Sequence, residues 1–159
     1  MFIKPDYNLK SIYDIDLMEL KQKGIKGMLF DLDSTLMASK SGEYSKEVLD
    51  WLDLVKKDFF VGVISNNHNK KYIEKVSRIS DFPVLFDAGK PRIAKAKKFI
   101  EENGLNAEGC AFVGDRPLTD VLCGKRLGCT TIMVDSITAD TEAKIVRLVR
   151  FIEKLTVSH

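Results

Sequence analysis

Five short apolar runs alternate with amphipathic segments along this 159-residue chain. Strand side chains repeat every two residues and helix side chains every 3.6, so the runs are predicted as strands and the segments between them as helices. The runs are almost continuously apolar, which is typical of strands that are covered on both faces of a sheet. The predicted strands are Gly27–Phe30, Phe59–Ile64, Val84–Phe86, Cys110–Val113 and Thr130–Val134.

The alternation of strands and helices predicts an α/β fold. We expect a three-layer, Rossmann-like parallel sheet of about five strands with helices on both faces. Pro91 suits a first helical position, and Gly104 and Gly128 suit helix ends. The predicted helices are Lys46–Lys57, Lys70–Ser80, Pro91–Asn103 and Thr119–Leu127.

No repeat or Pro/Gly-rich linker divides the chain, so residues 1–159 are predicted to form a single domain. An N-terminal extension over about 1–24 carries apolar and aromatic residues that we expect to pack on the core. A C-terminal amphipathic helix is predicted over about 140–156. Its apolar face and its Lys and Arg residues suit either packing on the sheet or contact with an anionic bilayer.

The composition is that of a globular protein, with 45% hydrophobic and 30% charged residues. A formal net charge of +2 does not favour nucleic acid as a partner. No apolar run approaches the roughly 20 residues that span a membrane, and Cys110, Cys123 and Cys129 form no CxxC pair. We therefore expect a cytoplasmic protein with reduced thiols, at most peripheral to the inner face of the cell membrane.

Polar side chains follow four of the predicted strands, at the point where each strand ends. Asp31 and Asp33 follow the first strand two residues apart, which puts them on the same side. Two carboxylates held together at the end of a buried strand repel each other, and either a bound cation or a proton shared between different roles relieves that cost. Ser65–Asn67, Lys90 and Asp115 follow the next three strands. Ligands of parallel sheets bind at the carboxyl ends of the strands, so these residues are predicted to share one site.

These motifs, in this order, resemble those of the haloacid dehalogenase superfamily of phosphotransferases. More narrowly, they are similar to a small, capless bacterial branch that is phosphatidylglycerophosphatase-like, with DLDxTL, SNN, a Lys-Pro pair and GDxxxTD. The similarity spans roughly residues 5 to 135 in unbroken order. The matching segments are Asp31–Leu36, Ser65–Asn67, Lys90–Pro91 and Gly114–Asp120.

The resemblance implies a role for each of these side chains. Asp31 would be the nucleophile that forms an aspartyl-phosphate, and Asp33 the general acid and base of a phosphomonoester hydrolase. Lys90 would neutralise charge on the transferring phosphoryl group. The Ser65 hydroxyl and the Asn66 backbone N–H would donate to phosphoryl oxygens. A helix N-cap is the alternative for Ser65, and both roles can hold at once.

The resemblance also implies a Mg²⁺ cofactor, which prefers oxygen ligands. Asp115, an oxygen of Asp31 and the backbone carbonyl of Asp33 would hold it. Three roles remain open for Asp120, one turn into a helix: direct ligation, orientation of a metal-bound water, or a salt bridge to Lys90.

Neither position at which relatives insert a lid has room for one. Leu36–Lys46 is one loop long, and Ser65–Lys90 is filled by one helix, one strand and their turns. Lids exclude water around small substrates, so an open site suggests a substrate that shields itself.

The substrate class is therefore open between a lipid headgroup, a phosphoprotein and a nucleic-acid end. The resemblance favours phosphatidylglycerophosphate, which would be dephosphorylated to phosphatidylglycerol. A non-catalytic binding protein with the same fold is the alternative of a different class. Arg116 departs from the uncharged residue expected in this branch, and it is either a ligand for a further anionic group of the substrate or a loop charge. His68 is expected at the core or rim, near the mouth of the site, without a necessary task.

Overall fold

The computed structural model describes residues 3–137. Its centre is a sheet of six strands, all of them parallel. In chain order the strands are β1 (Tyr7–Leu9), β2 (Gly27–Phe30), β3 (Phe60–Ile64), β4 (Val84–Leu85), β5 (Cys110–Gly114) and β6 (Thr130–Val134). Their order across the sheet is β1-β6-β5-β2-β3-β4.

Five α-helices and three tighter or wider helical turns connect the strands. The α-helices are α1 (Leu17–Gln22), α2 (Lys46–Lys56), α3 (Lys70–Ile79), α4 (Ala94–Glu102) and α5 (Leu122–Leu127). The turns are 3-10 helices at Ile12–Asp14 and Ala107–Gly109 and a π-helix at Pro117–Val121.

Each central strand supplies side chains to two hydrophobic clusters, one on each face of the sheet. On β2, Met28 and Phe30 belong to one cluster and Leu29 to the other, as the strand period of two requires. Helices α1, α2 and α3 pack in the first cluster and α4 and α5 in the second. This confirms the predicted α/β fold with helices on both faces of a parallel sheet.

The central strand β2 marks the point where the chain changes direction across the sheet. From β2 the chain passes to β3 and β4 on one side, and β5 then pairs with β2 on the other side. The loops after β2 and β5 therefore diverge and leave a crevice at the carboxyl edge. The N–H of Asp31 donates to the carbonyl of Val113 at 2.9 Å, which extends the pairing up to this crevice.

The N-terminal segment contributes a sixth strand that the sequence did not predict. The carboxylate of Asp6 accepts hydrogen bonds from the backbone N–H and the hydroxyl of Thr131, at 2.8 and 3.0 Å, and so fastens β1 beside β6. A strand of three residues with an exposed Asn8 at its centre has too little apolar pattern to be recognised in the sequence.

The predicted start of a helix at Pro91 is wrong, because α4 begins at Ala94. The side chain of Asn66 accepts from the N–H of Lys90 at 2.8 Å and donates to its carbonyl at 3.0 Å. These bonds hold Lys90 in a turn, so the helix starts only after this turn.

The segment predicted as one helix over Thr119–Leu127 has two parts. It begins as the π-helical turn, in which the N–H groups of Asp120 and Val121 both donate to the carbonyl of Arg116, and continues as α5. The predicted helix ends are confirmed, since Gly104 and Gly128 have φ of 73° and 89°, which favour glycine.

The stretches that would hold a lid are as short as predicted. Residues 37–45 form a loop, and residues 65–90 contain α3, β4 and their turns, which agrees with the absence of a large cap. The predicted helix over about 140–156 lies outside the described residues, and the extent of a single domain over 1–159 stays a prediction. Within residues 3–137, no helix has the length and apolar character needed to cross a bilayer.

Candidate active site

A cleft of about 600 Å³ opens at the carboxyl edge of the sheet, where β2, β3 and β5 end. Six of the seven side chains that the sequence singled out line this cleft, although they lie up to 89 positions apart in the chain. They are Asp31, Asp33, Ser65, Asn66, Lys90 and Asp120.

The seventh side chain, Asp115, belongs to a group of three carboxylates at the cleft. One oxygen each of Asp31, Asp115 and Asp120 lies within 4.8 Å of the other two. Asp120 is buried and Asp31 and Asp115 are partly buried, so these oxygens converge where water screens their repulsion poorly. A set of carboxylate oxygens of this kind fits a hard divalent cation.

The ammonium of Lys90 lies between two of these carboxylates. Its Nζ is 2.8 Å from Oδ1 of Asp31 and 2.9 Å from Oδ1 of Asp120, and its side chain is only 2% exposed. Burial by itself would lower the pKa of Lys90, but the charges of Asp31 and Asp120 outweigh burial and raise the pKa above its ordinary value. Lys90 is therefore a fixed positive charge at neutral pH.

The electrostatic balance at Asp31 is different. Burial raises the pKa of Asp31 to about 7; Lys90 opposes that shift, and the negative charges of Asp120 and Asp115 add to it. Three carboxylates around one ammonium leave an excess of negative charge. A cation among them would favour the ionised form of Asp31.

Both oxygens of Asp120 already have partners in the protein. Oδ1 accepts from Lys90, and Oδ2 accepts from the N–H groups of Asp115 and Arg116, each at 3.2 Å. Of the three roles left open by the sequence, the salt bridge to Lys90 is present. The side chain lies against Gly114, where a Cβ atom would come within 2.3 Å of Asp120.

Two hydroxyl groups that the sequence did not single out hold Asp115. Thr35 donates to Oδ1 at 3.3 Å and Ser136 donates to Oδ2 at 2.7 Å. Thr35 is part of the first motif and could have been noticed there. Ser136 follows β6, which carries no recognised motif.

The carboxylate of Asp33 is held by the loop that follows it and by α3. Its Oδ1 accepts from the hydroxyl of Tyr72 at 2.6 Å and from the N–H of Lys40 at 2.8 Å. Burial raises the pKa of Tyr72, and the hydrogen bond to Asp33 raises it further, so the phenol stays a donor. The only signal for Tyr72 in the sequence was an aromatic side chain in the first turn of the predicted helix that follows Ser65–Asn67.

Ser65 does not cap a helix, so that alternative is wrong. The N-cap of α3 is Asn69, whose side chain accepts from the N–H of Tyr72 at 3.1 Å. The hydroxyl oxygen of Ser65 instead accepts from the N–H of Asn67 at 3.1 Å, which leaves its proton available to a ligand.

Asn66 has a positioning contact that the sequence did not suggest. Its side-chain amide bonds the N–H and the carbonyl of Lys90, so that two neighbouring loops are joined at the point where the lysine enters the cleft. The Nζ of Lys90 also lies 5.7 Å from the ring centroid of Phe112 on β5.

A family model described as Mitochondrial PGP phosphatase matches residues 1–138 of this chain. The Bacillus subtilis protein named Probable phosphatase YqeG is 30% identical over 157 residues, which are 99% of this chain and 91% of that protein. Phosphatidylglycerophosphate phosphatase 1 of Arabidopsis thaliana, chloroplastic/mitochondrial, is 29% identical over 96% of this chain. The match spans 46% of that plant protein.

Two solved structures share the fold at low sequence identity. A HAD-like family hydrolase from Porphyromonas gingivalis has a TM-score of 0.59 at 18% identity, over 80% of this chain and 98% of that one. A HAD family enzyme from Bacteroides thetaiotaomicron, a mutant in complex with magnesium and inorganic phosphate, has a TM-score of 0.58 at 14% identity, over 71% of this chain and 95% of that one.

Proposed function

Because this chain belongs to the Mitochondrial PGP phosphatase family and is a phosphatase of the haloacid dehalogenase type, we propose that it hydrolyses phosphomonoesters with Mg²⁺ through an aspartyl-phosphate on Asp31. The observation that carries the proposal is the environment of the Asp31 carboxylate. It lies 2.8 Å from the Lys90 ammonium and within 4.8 Å of two further carboxylates. A carboxylate that must approach a phosphate dianion needs positive charge around it. The Lys90 ammonium supplies one such charge, and the cluster of carboxylates fits a metal ion as a second.

The donor set fits Mg²⁺, which prefers oxygen ligands and keeps several waters. We assign a side-chain oxygen of Asp31, the side chain of Asp115 and the backbone carbonyl of Asp33 as its protein ligands. When bound, the ion lowers the repulsion between the nucleophile and the phosphate. We assign Asp120 to positioning, because its Oδ1 pairs with the Lys90 ammonium and its Oδ2 accepts from two backbone N–H groups. The partners of Asp115 are instead two neutral hydroxyl groups, which can rotate away from a metal ligand.

In the first half of the reaction, an oxygen of Asp31 bonds to phosphorus while the bond from phosphorus to the ester oxygen breaks. Asp33 gives its proton to the departing alkoxide. Oδ1 of Asp33 accepts two hydrogen bonds, so we place this proton on Oδ2. Among residues 3–137, Oδ2 has no hydrogen-bond partner, which supports that choice.

In the second half, a water oxygen bonds to phosphorus and Oδ2 of Asp33 takes the water proton. The bond between Asp31 and phosphorus then breaks and inorganic phosphate leaves. Lys90, the Ser65 hydroxyl and the Asn66 backbone N–H stabilise the charge on the phosphoryl oxygens in both steps. Ser65 is suited to this because its hydroxyl proton is free to donate.

The substrate that the comparisons favour is phosphatidylglycerophosphate. Support comes from the description of the family and from the name of the Arabidopsis thaliana relative, Phosphatidylglycerophosphate phosphatase 1. An open cleft, over which residues 3–137 form no large cap, suits a headgroup presented at a membrane surface. The same site would serve a phosphoprotein or a nucleic-acid end, so the test includes both.

The test is a phosphate-release assay with liposomal phosphatidylglycerophosphate, a phosphopeptide, a 3′-phosphorylated oligonucleotide and p-nitrophenyl phosphate. Activity should require Mg²⁺ and fall by roughly 10³-fold or more in Asp31→Asn, while Asp50→Asn on the exposed side of α2 keeps full activity. Turnover that persists in Asp31→Asn contradicts the nucleophile. Faster release from the peptide or the oligonucleotide contradicts the lipid substrate.

A further inference from the structure

The outer part of the cleft is basic, in contrast to its acidic floor. Lys40, His68 and Arg116 line the same cleft as the proposed catalytic residues and are all exposed. Within residues 3–137, neither Lys40 nor Arg116 forms an ion pair, whereas Lys90, the other lysine that lines the cleft, pairs with two carboxylates. The name outer basic ring is used below for Lys40, His68 and Arg116.

Backbone hydrogen bonds hold the outer basic ring at fixed places above the floor. The N–H of Lys40 donates to Asp33 at 2.8 Å, and the N–H of Arg116 donates to Asp120 at 3.2 Å. His68 lies in the loop after β3, where the N–H of Asn69 donates to the side chain of Asn67 at 2.9 Å. The three side chains therefore start from three different loops, and the backbone is bonded directly to site residues at Lys40 and Arg116.

The proposed hydrolysis does not use these three side chains. Lys90 and Ser65 act on the phosphoryl group at the floor, where Asp31 and Asp115 would hold Mg²⁺. The cleft of about 600 Å³ is many times the roughly 30 Å³ that one water occupies in the liquid, so it holds much more than a phosphoryl group. Unpaired cations beside this extra space favour a further negative charge on the substrate.

We propose that the outer basic ring is a second anion subsite, which binds a phosphodiester of the substrate while its phosphomonoester occupies the floor. Arg116 is the main ligand, because a guanidinium can donate two parallel hydrogen bonds to one phosphate, and Lys40 adds a point charge. The subsite rests on the proposed function and narrows it: the preferred substrates carry a phosphodiester a few bonds from the phosphomonoester. Lipid headgroups and deacylated headgroups share this chemistry.

The test compares kcat/KM for glycerol 3-phosphate, for deacylated glycerophosphoglycerophosphate and for dioctanoyl phosphatidylglycerophosphate below its micellar concentration. We expect the wild type to prefer the deacylated bis-phosphate over glycerol 3-phosphate by about tenfold, mainly through KM. Arg116→Gln should reduce this preference to roughly twofold, and the double variant with Lys40→Gln should remove it. Raising the ionic strength should weaken it in the wild type. Arg78 is a cation on α3 that does not line the cleft, so Arg78→Gln should keep the wild-type preference for the deacylated bis-phosphate.

Two results would overturn the subsite. The first is an equal kcat/KM for the deacylated bis-phosphate and for glycerol 3-phosphate. If the diacyl lipid were still preferred in that case, the enzyme would recognise the acyl chains and not the phosphodiester. The other is a preference that survives in the double variant. Failure of the proposed function looks different, since the wild type would then hydrolyse none of the three substrates.

Discussion

The phenolic oxygen of Tyr72 donates a hydrogen bond of 2.6 Å to Oδ1 of Asp33. It joins the first turn of α3 to the carboxylate that we propose as general acid and base, across 39 positions of sequence. Oδ1 of Asp33 also accepts from the N–H of Lys40, so the carboxylate is held from two sides. Tyr72 is thereby a positioning residue, which acts on the substrate only through Asp33.

Tyr72→Phe removes this bond with little change in volume. We expect kcat to fall by about tenfold for alkyl phosphates, roughly the value of one hydrogen bond to a charged group, and less for p-nitrophenyl phosphate. A poor leaving group depends more on protonation by Asp33. The measurement is kcat across alkyl and aryl phosphates of increasing leaving-group pKa. Tyr44→Phe is the control, because the hydroxyl of Tyr44 bonds Ser80 and not Asp33. An equal loss across the series would mean that Tyr72 is merely structural.

Gly114→Ala should disturb the site through Asp120. A Cβ atom at Gly114 would lie 2.3 Å from the Cβ and 2.4 Å from the Oδ2 of Asp120, so that side chain must move and loosen its contact with Lys90. We expect a loss of about 1–3 kcal/mol in the free energy of unfolding and a lower kcat. Gly109→Ala, with open space around its Cβ, is the control. Urea unfolding and phosphate release measure both effects; equal behaviour of the two variants would refute the argument.

Asp115→Asn and Asp120→Asn should separate a proposed ligand from a positioning residue. Losing a ligand charge at Asp115 should raise the Mg²⁺ concentration for half-maximal activity by more than 100-fold, and Asp120→Asn by roughly tenfold. The second variant should mainly lower kcat, because Lys90 loses a charged partner 2.9 Å away. Titration of activity with Mg²⁺ gives both values. A larger shift for Asp120→Asn would assign direct ligation to that residue instead.

Asp6→Asn should change how stability depends on pH. The backbone hydrogen bond from Thr131 lowers the pKa of Asp6, against the effect of burial. A lowered pKa stabilises the fold above the ordinary value of 3.8, and this contribution is lost as the pH falls through the folded-state pKa. The carboxylate is half exposed, so the loss in the variant at pH 7 should be at most about 1 kcal/mol.

Urea unfolding at pH 7 and near pH 3 measures this difference, which should shrink at the lower pH. Asp135→Asn is the control, because this exposed aspartate has no hydrogen bond or ion pair among residues 3–137. A difference that is the same at both pH values would mean that Asp6 acts through packing rather than through its charge.

The sequence alone was enough to predict five of the six strands and the edge of the sheet at which the site lies. Strands β2 and β6 occupy the ranges expected for them, and the sequence of β2 has no polar side chain because both of its faces are buried. The polar residues that end the strands meet because parallel strands all finish at one edge. These patterns are local, with periods of two or a few residues, so they can be read without knowing the packing.

Only the tertiary structure decided which side chains touch. The partners of Asp33 and Asp120 depend on how α3 and the π-helical turn are rotated against the sheet, and no short-range pattern records that rotation. The edge strand β1 was missed for the same reason, because Asp6 and Thr131 bond across 125 positions. A contact between distant segments depends on the packing of the whole core, whereas a strand or a turn reflects its own few residues.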